Sequence, residues 1–348
     1  MKDKIELVRS LLDSENSEGA LKILRSLKKD YEYDLLTGEA CRIGGFFHEA
    51  AAHYRKFIKK SRPDIFRLEA MNKLAACSRA LGDKKNAFGW GKKALSYSVK
   101  KGFDTLDSRI ELAMAQRLAG DFPGALTEIR RIAAFFMKNG DFAGLSYMLW
   151  SAGGIYRLQG EFAKAEEAFG RALKLAKRAG DRSLQVYALF GLAGALRIAG
   201  RVEDSYRTYL KASKLAGGDD TFANAYSFCG MANSLRQKGE LDRAKGSYKN
   251  SLKLYTRIGD KVDLGFVHWG LGEIQKKKGQ FGAALEKFLK AGELFRSGFE
   301  KRGEILNDIS LAQVYYLRGK TELADRIYFK ALARAKKEKL HTYLEIFT

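Results

Sequence analysis

The chain of 348 residues has two prolines, three cysteines and four histidines, and each scarcity removes a class of protein. Proline inside a helix deletes a donor and clashes with the preceding turn. With only Pro63 and Pro123 present, long uninterrupted helices can form. Cys41, Cys77 and Cys229 are scattered and odd in number, which argues against a disulfide framework and fits a reducing compartment. No apolar run is long enough for a membrane span, so no membrane insertion is expected. The opening MKDKIELVRSLLDSEN alternates charged with apolar residues, unlike a signal peptide, and a cytoplasmic location is the expectation.

Catalytic signals are equally sparse. His48 and His53 are five apart, off a common helix face, so they make no metal pair. His268 falls on an apolar stripe, as a packed ring does, and Glu166 and Glu167 read as solvated surface. The sequence has no phosphate-cradling P-loop, no strand-borne G-x-G-x-x-G and no G-x-S-x-G. No enzymatic activity, cofactor or metal is expected. Acid is the last shortage: 63 lysines and arginines face 41 acids, a net charge of +22. Such a surplus implies a positive field that steers anionic partners, unless it is only a solubilising charge spread over outward helix faces.

Glycine, by contrast, is plentiful and periodic. Gly82, Gly120, Gly160, Gly200, Gly239, Gly279 and Gly319 recur at intervals of 38 to 40 residues. Each closes an apolar helical pattern and is followed five residues later by a small residue: Ala87, Ala125, Ala165, Ser205, Ala244, Ala284 or Ala324. A second glycine ends each unit, as Gly140-Asp141, Gly180-Asp181 and Gly259-Asp260. Glycine there can stop one helix in the left-handed conformation and aspartate can cap the next. Gly217, Gly218 and Asp219 are expected to do the same with one extra residue, and Gly102 and Gly298 keep the spacing without the acid. A period of this length predicts an array of helical hairpins, none of which buries its apolar face alone.

Residues 145 to 180 illustrate the packing. Leu149, Ala152, Gly153 and Tyr156 share one helix face, and Ala165, Phe169 and Ala172 form the matching stripe on the next helix. The small residues allow close approach while the rings fill the wider gaps. The whole pattern resembles the tetratricopeptide repeat. Leu271-Gly272, Ala284, Phe288 and Ala291 carry the likeness in one unit. Leu311-Ala312, Tyr315, Ala324, Tyr328 and Ala331 carry it in another, and Leu192-Ala193, Tyr209 and Ala212 in a third. The family's first tryptophan is missing, and a Gly-Asp linker replaces its closing proline. The period near forty is similar to that of longer-helix members, some of them bacterial peptide sensors and others spindle-orientation adaptors. The resemblance implies an all-α, right-handed superhelical solenoid of about eight helix-turn-helix repeats, with 17 or 18 helices. It is strong over 64–338. Residues 1–63 read as degenerate repeats around Ala20, Gly45 and Ala50. The apolar segment 339–348 reads as a cap over the final unit, with docking onto another subunit as the alternative.

A second stripe on the first helix of each unit points to function. Three residues before the anchor glycine stand Arg79, Arg117, Arg157, Arg197, Arg236 and Lys276, and only Tyr316 breaks the row. At 100° per residue this position shares a face with those three, seven and ten residues earlier. That face reads Tyr147, Trp150, Gly154 and Arg157, and in the next unit Tyr187, Phe190, Gly194 and Arg197. It continues as Tyr226, Cys229, Asn233 and Arg236, and then Phe266, Trp269, Glu273 and Lys276. Outer units carry Glu69, Asp107 and Asp308 there, so the positive, aromatic section is central. In the resemblance to tetratricopeptide repeats, these positions line the concave groove. The family's lysine–asparagine clamp for C-terminal carboxylates is matched only by Asn233 and a few cations.

Two uses of the stripe compete. The cations can stack on neighbouring helices and pair with acids, with the rings as inter-repeat packing. Alternatively, they present a row of anchors for carboxylates or phosphates, with aromatic pockets beside them. The expectation is a non-enzymatic adaptor that binds an acidic, apolar-anchored protein segment in this groove. The alternatives are a single-stranded nucleic-acid or polyanion binder using the same groove, and a peptide-responsive sensor of the bacterial kind.

Overall fold

The computed structural model describes residues 2–14, 16–27, 32–62, 64–218 and 220–338. The proposed cap at 339–348 lies outside them. Eighteen α-helices follow one another among the described residues, and none is long and apolar enough to cross a membrane. The chain divides into two compact units at Ile132/Ala133, inside the eighth helix. The 63/64 boundary of the repeat pattern marks where the sequence motif weakens, which is a different property from compactness.

The first unit contains α1 (Lys2–Asp13), α2 (Ser17–Leu24), α3 (Tyr33–Ile43), α4 (Phe47–Lys60), α5 (Ile65–Ala80), α6 (Lys84–Lys101), α7 (Leu106–Ala119) and most of α8 (Phe122–Lys138). The second holds α9 (Phe142–Leu158), α10 (Phe162–Arg178), α11 (Arg182–Ile198), α12 (Val202–Ala216), α13 (Thr221–Gln237), α14 (Leu241–Ile258), α15 (Lys261–Lys277), α16 (Phe281–Ser297), α17 (Lys301–Leu317) and α18 (Thr321–Lys337). Odd-numbered helices are the first of each hairpin and even-numbered helices the second. Within the second unit each helix packs on the one before it, and successive odd helices also touch.

The anchor glycines act as the sequence predicts. Gly160 adopts φ +78° after α9. Its N–H donates to Arg157 O, and Glu161 N donates to Tyr156 O at 2.9 Å. These are the paired bonds that close a helix through a left-handed residue. In the second turn class, Asp141, Asp181 and Asp260 cap α9, α11 and α15 by accepting from the backbone N–H three residues on. Two details differ from the sequence reading. The cap of α13 is Asp220, which accepts from Ala223 N at 2.8 Å, whereas Asp219 is not among the described residues. After α16, Gly298 stays at φ −92° and the left-handed position passes to Phe299 at φ +56°. The closing bond there is Glu300 N to Phe295 O, so the terminating turn is displaced by one residue.

In the second unit, packing between repeats rests on a buried aromatic knob nine residues after Gly160, Gly200, Gly239 and Gly279. Phe169 from α10 is buried between two glycines: a Cβ on Gly153 of α9 would lie 2.9 Å from its ring, and one on Gly191 of α11 would lie 2.3 Å away. Tyr209 on α12 and Tyr248 on α14 press likewise on Gly230 and Gly270 of the next first helix, and Phe288 on α16 presses on Gly272 of its own. Each ring therefore fixes the spacing of one first helix, and Phe169 fixes two. Such a core has no room for added volume, since overpacking costs about 1–3 kcal/mol. Gly270→Ala would set a Cβ 2.2 Å from Tyr248 Cζ. The variant is expected to lose stability in a thermal melt despite the roughly 1 kcal/mol that alanine gains in a helix; a raised or unchanged Tm would contradict the knob assignment.

Candidate functional site

The row of cations three residues before each anchor lies in the last turn of its helix, where positive charge complements the exposed carbonyls. Beyond that shared position their environments diverge. In the first unit, Arg79 faces Glu111 of α7 at 3.3 Å, and Arg117 is half-buried at the end of α7. In the second unit, Lys276 bonds Glu273 at 2.9 Å and also reaches Gln313. Glu273 is buried and accepts from Ser310 Oγ at 2.7 Å, which in turn accepts from Trp269 Nε1 at 2.9 Å. Arg236 is buried with its guanidinium 5.1 Å from the Trp269 ring centroid. Lys276 and Arg236 are thus engaged inside the protein.

Arg157 and Arg197 sit differently. Both line a hollow of about 170 Å³ with Tyr226, Cys229, Gly230 and Asn233 of α13, Asp263, Phe266 and Trp269 of α15, and Arg302 and Leu306 of α17. Tyr209 and Tyr255 close it from the second helices. Five consecutive first helices, α9 to α17, therefore converge on one space. The Arg157 guanidinium reaches across to α11, where Gly194 leaves room for it: a Cβ there would meet Nη1 at 2.7 Å. Its Nε is buried and has no hydrogen-bond partner among the described residues. Asn233 is held by a 2.7 Å bond from Tyr248 Oη to its Oδ1, and Arg302 lies 4.9 Å over the Phe266 ring.

The predicted aromatics form a ladder running along the first helices. Tyr147 stacks on Trp150 at 5.9 Å, Trp150 meets Tyr187 edge-on, Tyr187 meets Phe190, and Phe190 lies 4.5 Å from Tyr226. Phe190 is buried in the core and Tyr187 is 42% exposed, so the ladder packs repeats together and shows its edge at Tyr187. Trp150 Nε1 also donates to Tyr187 O at 3.1 Å. Of the fourteen sequence candidates, Arg157, Arg197, Tyr226, Asn233, Phe266 and Trp269 meet in the hollow.

Asp263, Arg302 and Tyr255 are hollow residues that the periodic pattern does not mark. They come from the first turns of α15 and α17 and the last turn of α14, outside the row of cations and rings on the first helices. Burial first, then the neighbouring Asp260 carboxylate, push the Asp263 carboxyl up to about 7 against the pull of Arg302. Burial drives the Tyr255 phenol upward, and its hydroxyl is buried beside Asp263 without closing a bond of normal geometry. Burial, with Asp263 adding to it, pushes the Cys229 thiol up to about 12, so it remains protonated and is a poor nucleophile at neutral pH.

Stacked helical hairpins whose first helices share a hollow define a helical-repeat solenoid. Residues 152–220 match the tetratricopeptide-repeat family model, and the chain has the tetratricopeptide-repeat fold. Among solved structures it is similar to a Rap protein complexed with Competence and Sporulation Factor, with a TM-score of 0.70 and 12% identity over 97% of this chain and 98% of that one. It is also similar to the apo form of the quorum sensor NprR from B. thuringiensis, with a TM-score of 0.62 and 16% identity over 96% and 98% of the two chains. Aspartyl phosphate phosphatase F from Bacillus subtilis aligns with a TM-score of 0.61 and 12% identity over 95% and 93%. No curated protein sequence matches the chain. At these identities the likeness is one of fold.

A pH dependence follows from Asp263. Its native carboxyl holds a proton that the unfolded chain releases near the ordinary carboxylate range, so stability falls as pH rises from about 4 through about 7. Asp263→Asn should remove this slope. Relative to the parent it should be more stable at pH 8, by on the order of 1–2 kcal/mol for this partly accessible side chain, and no more stable at pH 4. Parallel denaturation curves for the two proteins across this range would refute the assignment.

Proposed function

We propose that the protein is a non-enzymatic binding scaffold that holds an acidic, apolar-anchored segment of another protein in the hollow formed by α9 to α17. The observation that carries this reading is the convergence of Arg157, Arg197 and Arg302 with Phe266 and Trp269 on one space. Guanidinium groups match a carboxylate with two parallel bonds, and adjacent rings offer the apolar contact where interface energy concentrates. In this reading the segment's carboxylate approaches Arg157 and Arg197, and an apolar side chain settles near Phe266. Tyr147, Trp150 and Tyr187 extend the contact surface toward α9. The structural neighbours solved with Competence and Sporulation Factor or described as a quorum sensor lend the reading support through fold alone. A peptide-responsive regulator stays within its scope, and the proposed location is the cytoplasm.

Asp263 shapes the preference. Beside it a continuous phosphate chain would meet a carboxylate that is partly ionised at neutral pH, which favours a single acidic group over a polyanion in the hollow. The test is affinity capture followed by synthesis of the captured segment as a peptide. Arg157→Glu with Arg197→Glu should weaken that peptide at least tenfold while leaving the helical circular dichroism unchanged. Replacing the peptide's acids by amides should do the same. Equal binding by the double variant would remove the hollow from the account.

A further inference from the structure

The positive charge of the chain is not concentrated in the hollow. The second helices together carry 35 lysines and arginines against 12 acids, whereas the first helices carry 18 against 12. Within the second unit the imbalance has a definite layout on α10, α12 and α14. All acids of these helices lie near their N-termini: Glu166 and Glu167, Glu203 and Asp204, and Asp242. Every charged residue in 168–178, 205–216 and 243–258 is a lysine or arginine.

Three of those five acids are engaged by the next repeat, while Glu167 and Asp204 pair within their own repeats with Arg171 and Arg201. Arg201 bonds Glu166 at 2.7 Å, Lys238 bonds Glu203 at 2.7 Å, and Lys278 bonds Asp242 at 2.5 Å. In each case a cation in or beside the turn one repeat later reaches back to the preceding second helix. The neighbouring turns thereby use up three of the acids that could have neutralised the far halves of the helices. Arg171, Lys174, Lys211, Lys214, Lys249 and Lys253 are all exposed there. Only Arg171 among these six has an ion pair in the described residues, a loose 3.6 Å contact to Glu167.

We propose that this outer face of α10, α12 and α14 docks the phosphate backbone of double-stranded nucleic acid. It is a second surface, independent of the hollow. Three features favour that partner. A face that is free of acids over 168–178, 205–216 and 243–258 of three second helices can neutralise several phosphates at once, and this sequence-independent term supplies most of the affinity of such contacts. The face lacks rings on which unpaired bases could stack: Phe169, Tyr209, Tyr248 and Tyr255 are buried, and Tyr206 lies beneath the Arg243 guanidinium. It also lacks an apolar anchor for a peptide, since only Leu210 and Ile258 break its polar surface, at 37% and 40% exposure.

The test is a titration of a fluorescent duplex of about twenty base pairs at 50 and 200 mM salt, alongside single strands, anionic phospholipid vesicles and a polyglutamate peptide. With roughly six phosphates neutralised, the duplex should lose about a thousandfold in affinity between the two salts. Lys211→Glu, Lys214→Glu, Lys249→Glu and Lys253→Glu combined should abolish duplex binding with an unchanged thermal melt. Arg157→Glu with Arg197→Glu should leave duplex binding intact, which separates this surface from the hollow. The proposal is overturned if the reversed protein binds duplex as the parent does, if the hollow variant is the one that loses it, or if vesicles, polyglutamate or single strands bind more tightly than duplex.

Discussion

The contact between an aromatic knob and a facing glycine is the constraint on which the rest of the structure depends. Phe169 lies against Gly153 of its own hairpin and Gly191 of the next, so one ring sets two helix spacings at once. Dense packing makes that spacing discrete, because a close-packed interior neither tolerates an extra methyl nor leaves a gap for one. Repeating the contact at Tyr209, Tyr248 and Phe288 brings five first helices of the second unit onto a common hollow. The left-handed glycine turns then return the chain for the next hairpin. Position in the hollow is therefore inherited from a core contact several ångströms behind it.

Much of this architecture was legible in the residues themselves. The forty-residue spacing of Gly160 and its equivalents and the aspartate caps at Asp141, Asp181 and Asp260 follow from local rules of helix ending. The pattern put Phe169 in the wider gaps between helices, whereas its ring lies directly on Gly153. The displaced turn at Phe299 did not follow from those rules, because a glycine at the right interval was already present at 298. The site was legible only in part. Periodicity put Arg157 and Arg197 in one row with Lys276 and Arg79, with no sign of which space each would line. That depends on neighbours outside the row: Glu111 beside Arg79, Glu273 beside Lys276 and Gly194 leaving room for Arg157. Asp263 and Arg302 escaped detection for a related reason: each lies in a first turn, outside the row of cations and rings on the first helices.

The charge surplus has a similar lesson in it. A net charge of +22 implied a positive field or a solubilising charge spread over outward faces, and most of the excess resides on the second helices. In the second unit, the turn cations Arg201, Lys238 and Lys278 draw the acids Glu166, Glu203 and Asp242 into inter-repeat pairs. On the far halves of α10, α12 and α14, Lys174, Lys211, Lys214 and Lys253 are exposed, and Arg171 makes only a loose contact to Glu167. The hollow, by contrast, combines three guanidinium groups with one carboxylate held high by burial. Two cationic surfaces of different make-up therefore coexist on one unit: a small, ring-lined hollow and a broad, ring-poor face.

The assignment of ligand to the first-helix side can be tested directly by site-specific photo-crosslinking to the captured protein segment. A benzophenone side chain placed at Tyr226, on the hollow, should form an adduct with the segment, while one placed at Leu210, on the second-helix side, should not. An adduct at Leu210 with none at Tyr226 would contradict the account.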